Sequence, residues 1–100
     1  MPDLKCHFCG SRFALSHLLA RPRRYWRALD LVQCELPCCG EMEDLRISDG
    51  VVERGYVYAA GAPHFAPMET IAAPDLRVFR TADGLRYTLG ADSFETPSTV

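Results

Sequence analysis

Beyond residue 44 the chain alternates between apolar and polar positions. Leu45-Arg46-Ile47 and Val51-Val52-Glu53-Arg54-Gly55-Tyr56-Val57-Tyr58 flank Asp49-Gly50, a pair that readily takes the left-handed backbone of a tight hairpin turn. A second turn signal, Ala82-Asp83-Gly84, lies between Leu76-Arg77-Val78-Phe79-Arg80 and Leu85-Arg86-Tyr87-Thr88-Leu89, where the alternation is partial. Period two is the strand period, so residues 45–92 are predicted to form two β-hairpins. Between them, Ala59 to Pro67 combines small residues with Pro63 and Pro67, unsuited to a regular central strand, and reads as an ordered loop. Upstream, Phe13 to Leu19 predicts one or two helical turns within 13–20, ended by Pro22, which disfavours helical geometry at Arg21. Tyr25 to Val32 reads as a strand. The polar end from Ser93 to Val100 contains Pro97, has little to bury and is expected to fray.

The picture is a small, mainly β domain, and at 100 residues such a domain buries a limited core and often relies on a metal or disulfides. With 48% apolar and 24% charged residues, the chain has the composition of a folded globular protein rather than a disordered one. No apolar run approaches the roughly 20 residues that span a bilayer, and Met1 to Lys5 lacks the order of a signal peptide. The expectation is a cytoplasmic protein with no membrane role.

That expectation changes the meaning of the five cysteines, because thiols in a reducing compartment serve metals more often than disulfides. Cys6-His7-Phe8-Cys9-Gly10 is a Cys-x-x-Cys-Gly knuckle. Two intervening residues let a tight turn aim both sulfurs at one ion, backbone amides can donate to the thiolates, and glycine takes the left-handed conformation after the second ligand. Cys34-Glu35-Leu36-Pro37-Cys38-Cys39-Gly40 repeats the Cys-Gly ending. A regular second knuckle would begin at position 36, which is Leu36, so the second turn reads as extended from Cys34. The expected ligands are Cys6, Cys9, Cys34 and Cys39, with Cys38 as the alternative fourth; the parallel between Cys9-Gly10 and Cys39-Gly40 favours Cys39.

Over residues 4–42 these two knuckles resemble the zinc-ribbon group, in which paired cysteine turns clasp one zinc beside a small antiparallel sheet. The resemblance implies a zinc-ribbon-like module over 1–44 and one structural Zn2+, with 45–92 as a β-hairpin extension packed into the same domain and 93–100 as a flexible tail. It carries no function, since zinc ribbons serve many. Closed four-sulfur coordination leaves no position for water, which argues against zinc catalysis. His7 and His17 are expected to be ordinary polar residues rather than ligands, and His64 a loop-packing residue. A redox role for Cys6 and Cys9 is a weaker reading, because Phe8 to Arg12 does not resemble the helix start that redox pairs occupy.

Charge adds one further candidate. The formal charge of −2, taken to about −4 by four thiolates on a dication, opposes uniform attraction to nucleic acid. Yet Arg21, Arg23, Arg24 and Arg27 surround Tyr25 and Trp26 with no acidic residue between them, a composition suited to single-stranded nucleic acid. The alternative is that Trp26 anchors the core while the arginines meet water or the nearby carboxylates Glu41, Glu43 and Asp44. The sequence therefore favours a non-enzymatic zinc-binding adaptor with a protein partner, ahead of a nucleic-acid-binding zinc ribbon and a thiol-redox protein.

Overall fold

Both turn signals make hairpins in the computed structural model, which describes residues 3–58 and 60–99. The first joins β5 (Met42–Ser48) to β6 (Gly50–Tyr58), with Ile47 opposite Val52 and Gly50 at φ 79°. The second joins β8 (Leu76–Arg80) to β9 (Gly84–Leu89), closed by reciprocal bonds between Thr81 and Gly84. The remaining strands are β1 (Asp3–Lys5), β2 (Arg12–Ala14), β3 (Pro22–Trp26), β4 (Leu31–Glu35), β7 (His64–Ala73) and β10 (Asp92–Thr99), with one helix, α1 (Leu15–Leu19). The protein is small and mainly β, and α1 falls within the 13–20 window. Among the described residues, no helix is long and apolar enough to cross a membrane.

β1 and β2 form a two-stranded ribbon; the other strands form one sheet in the order β7-β6-β5-β4-β3-β10-β9-β8. Its pairs are antiparallel except β3 with β10. The sheet curls until β8 meets the β5–β6 turn, where Val78 N–H donates to Asp49 Oδ1 at 2.8 Å and Arg80 Nη2 donates to the Ile47 carbonyl at 2.8 Å. Leu15, Leu18 and Leu19 of α1 are fully buried among Val32, Leu45 and Tyr87, and the Tyr87 hydroxyl donates to the Leu19 carbonyl. Each such leucine contributes about 1.5–3 kcal/mol by leaving water, so this short helix is held by tertiary packing rather than by its own propensity.

Three regions differ from the sequence expectation. Tyr25 to Val32 is interrupted by a 3₁₀ turn at Arg27–Leu29 and by Asp30 in the left-handed conformation, φ 54°. The reversal is held because the Asp30 carboxylate accepts the Tyr25 hydroxyl at 2.7 Å and two bonds from Arg80. The expected 59–67 loop is shorter, since β7 begins at His64; Ala59 lies outside the described residues. Edge position and a register shift opposite Arg54 and Gly55 accommodate Pro67, which cannot donate to a ladder. The 93–99 segment is β10, with Phe94 against Tyr87 (5.5 Å between ring centroids) and Thr96 buried; it joins β9 to β3. Val100 lies outside the described residues.

Candidate metal centre

The β1–β2 ribbon presents the first knuckle as its turn. Cys6 N–H donates to the Ser11 carbonyl at 2.8 Å, Gly10 N–H donates to the Cys6 carbonyl at 3.1 Å, and Gly10 has φ 78°. The Phe8 and Cys9 amides both point at Cys6 Sγ, each at 3.4 Å, an arrangement that favours a thiolate there. The β4–β5 connection repeats this backbone. Leu36 N–H donates to the Glu41 carbonyl at 2.8 Å, Gly40 N–H donates to the Leu36 carbonyl at 3.0 Å, and Gly40 has φ 78°. The second turn is therefore not stretched: Leu36 holds the place of Cys6, and Cys39 that of Cys9.

With leucine in the place of Cys6, that turn brings a second sulfur, that of Cys38, beside Cys39. Cys6, Cys9, Cys38 and Cys39 bring their sulfurs within 4.8 Å of one another, with Cys6 and Cys39 3.7 Å apart. Tetrahedral zinc with about 2.3 Å bonds to sulfur has sulfur–sulfur edges of about 3.8 Å, so the cluster has the size to hold one metal ion. The Cys9 thiol is drawn down to about 6 by hydrogen bonds from the Ser11 side chain and backbone, while desolvation and the adjoining thiols push Cys38 up to about 12. Four sulfurs without a cation cannot all ionise, and a dication removes that conflict.

Cys34, expected as a ligand, lies outside the cluster. Strand alternation puts it on the inward face of β4 with Val32, and Leu36 continues that side; all three are buried. Burial pushes its thiol up to about 12, against a hydrogen bond with Tyr87 that lowers it. Position 34 has the parity of the core, a signal present in the sequence. Of the candidate ligands, the structure brings together Cys6, Cys9 and Cys39 with the alternative, Cys38.

The cluster is tied to the main sheet through Arg54, which is 1% exposed. Its Nε donates to Glu43 Oε1 at 2.6 Å, Nη1 to Glu69 Oε1 at 3.0 Å, and Nη2 to the Lys5 carbonyl at 2.9 Å, one residue before Cys6. Its guanidinium also lies 5.6 Å from the Phe13 ring centroid. Strand alternation puts Arg54 on the face of buried Val52, and only its charge argues against burial there.

The basic segment is largely engaged within the protein. Arg21 and Arg23 both reach Glu35, at 3.2 and 2.8 Å. Arg27 donates to Ser98 Oγ and the Thr81 carbonyl. Arg24 lies over the half-buried Trp26, 5.8 Å from its centroid, and Tyr25 is buried. His17 is exposed, and His64 stacks on Tyr58 at 5.5 Å. Compared with known proteins, the chain matches no family model, no curated protein and no solved structure.

Proposed function

We propose that this chain is a non-enzymatic zinc-binding protein, a small interaction adaptor whose zinc-ribbon-like module is built on one structural zinc held by Cys6, Cys9, Cys38 and Cys39. The convergence of four sulfurs from two matching turns carries this reading. Soft sulfur donors in a closed set of four suit zinc, and a full shell leaves no site for a reacting water. The ion would join the N-terminal ribbon to the β4–β5 hairpin and so fasten the ribbon to the main sheet. The adaptor role is supported by Phe8, Met42 and Tyr56, which are 58%, 43% and 42% exposed and border the first knuckle; apolar clusters of this kind mark protein contacts.

Elemental analysis with native mass spectrometry tests the metal. One zinc per chain, lost with cooperative structure on chelation, is expected. Reduced protein purified without chelator and containing no zinc would overturn the reading.

A further inference from the structure

The four sulfurs of the metal centre differ in how far solvent reaches them. Cys6 is 1% exposed, and the Phe8 and Cys9 amides point at its sulfur. Cys9, Cys38 and Cys39 are exposed. A small oxidant therefore meets sulfurs of the shell without any opening of the fold, since susceptibility to oxidation follows exposure. Cys34, fully buried in the core, is out of its reach.

Position decides which sulfurs can then join. Adjacent residues hold their Cα atoms about 3.8 Å apart, short of the roughly 4.4–6.8 Å that disulfides span, so Cys38 and Cys39 are poorly placed to bond to each other. Cys39 Sγ instead stands 3.7 Å from Cys6 Sγ, in a cluster whose sulfurs all lie within 4.8 Å of one another. These two sulfurs come from different turns, Cys6 from the β1–β2 ribbon and Cys39 from the β4–β5 connection. A bond between them would cross the junction that the metal spans.

We propose that the metal centre is also an oxidation site, at which a peroxide joins Cys6 to Cys39 and frees the ion. The exposed Cys39 sulfur takes one peroxide oxygen as a sulfenic acid, and the other oxygen leaves as hydroxide. Cys6 Sγ attacks the oxidised sulfur, the S–O bond breaks, and the second oxygen leaves as hydroxide. Two thiolates, one peroxide and two protons thus give one disulfide and two waters. With two of its four donors spent, the shell no longer holds a dication. The link between ribbon and main sheet passes from a metal to a covalent bond. This inference rests on zinc filling the site.

The test treats the full-length, reduced, zinc-loaded chain with hydrogen peroxide. Freed zinc is read with a chromogenic chelator, and the product as tryptic peptides kept from reductant, their free thiols blocked. Trypsin leaves Cys6 and Cys9 in residues 6–12, and Cys34, Cys38 and Cys39 in residues 28–46. The expected result is one zinc freed per chain, together with a 6–12/28–46 pair whose fragments join Cys6 to Cys39. Cys34→Ser should change neither outcome. Zinc retained under peroxide, the two peptides left unlinked, or a link through other cysteines would overturn the assignment. Metal content measured before peroxide separates the two readings: a zinc-loaded chain that forms no such link loses the oxidation site alone, and a chain without zinc loses the metal centre.

Discussion

Replacing Cys38 and Cys34 by serine, one at a time, separates the two ways of completing the metal shell. Cys38 lies in the four-sulfur cluster and Cys34 is fully buried on the inner face of β4. Structural zinc in small modules is worth about 10–16 kcal/mol, so an equal share among four thiolates is about 2.5–4 kcal/mol each. Cys38→Ser should therefore weaken zinc binding by roughly 100- to 1,000-fold. Cys34→Ser touches no sulfur of the cluster but puts a hydroxyl in the core, a cost of about 1–3 kcal/mol where unpaired. Its hydrogen-bonding neighbour Tyr87 should hold that cost near the lower end. Competition with a chromogenic chelator reads the affinity, and denaturant unfolding of the zinc-loaded protein reads the stability. Full zinc affinity in Cys38→Ser together with its loss in Cys34→Ser would refute the ligand set.

Glu43→Gln removes the buried partner of Arg54, whose ion pair spans 2.6 Å; loss of one member of such a pair costs about 3–5 kcal/mol, and Glu69 should keep the loss near the lower value, measurable as a shift in the urea midpoint. The Asp30 carboxyl carries a desolvation penalty, yet its bonds from Arg80 and Tyr25 bring it below its ordinary value. A depressed carboxylate stabilises the fold above its unfolded pKa of about 3.9 and loses that contribution as pH falls through the lower folded value; Asp30→Asn should flatten this acid limb in melts recorded below pH 5, and an unchanged limb would contradict it. If Arg24 and Trp26 serve a nucleic acid, single-stranded binding should weaken with salt and Arg24→Gln should reduce that slope by about one phosphate's worth; binding insensitive to both would exclude this use of the segment.

What the sequence disclosed follows from which interactions are local. The Asp49-Gly50 hairpin and the two Cys-Gly turn endings depend on the backbone preferences of a few adjacent residues, and all three occur where the pattern places them. Strand β10 depends on distant partners. Ser93-Phe94-Glu95-Thr96 alternates, but its burial requires Tyr87 on one neighbouring strand and the remote strand β3 on the other, so polarity and Pro97 alone suggested a frayed end. Arg54 shows the same limit in another form: alternation puts it on the face of buried Val52, but how its charge is satisfied there depends on Glu43, Glu69 and the Lys5 carbonyl, which come from distant segments.

The second knuckle joins the two cases. Spacing measured from Cys34 made the turn look irregular, whereas spacing measured backward from Gly40 gives the regular turn, with Leu36 in the first ligand's place. Because the side chain at 36 turns into the core with Val32 and Cys34, a four-sulfur metal shell would need a sulfur elsewhere on that turn, and adjacent Cys38 and Cys39 would meet that need. The doubled cysteine is thus the local compensation for an apolar residue that the core has claimed, and Leu36→Cys should restore a conventional pair. With Cys38 then replaced by serine, Leu36→Cys should recover zinc affinity lost by Cys38→Ser alone, at a stability cost of about 1–2 kcal/mol for the smaller core side chain. Failure of that rescue, in a protein that still folds, would show that the two turns differ in how they aim their side chains.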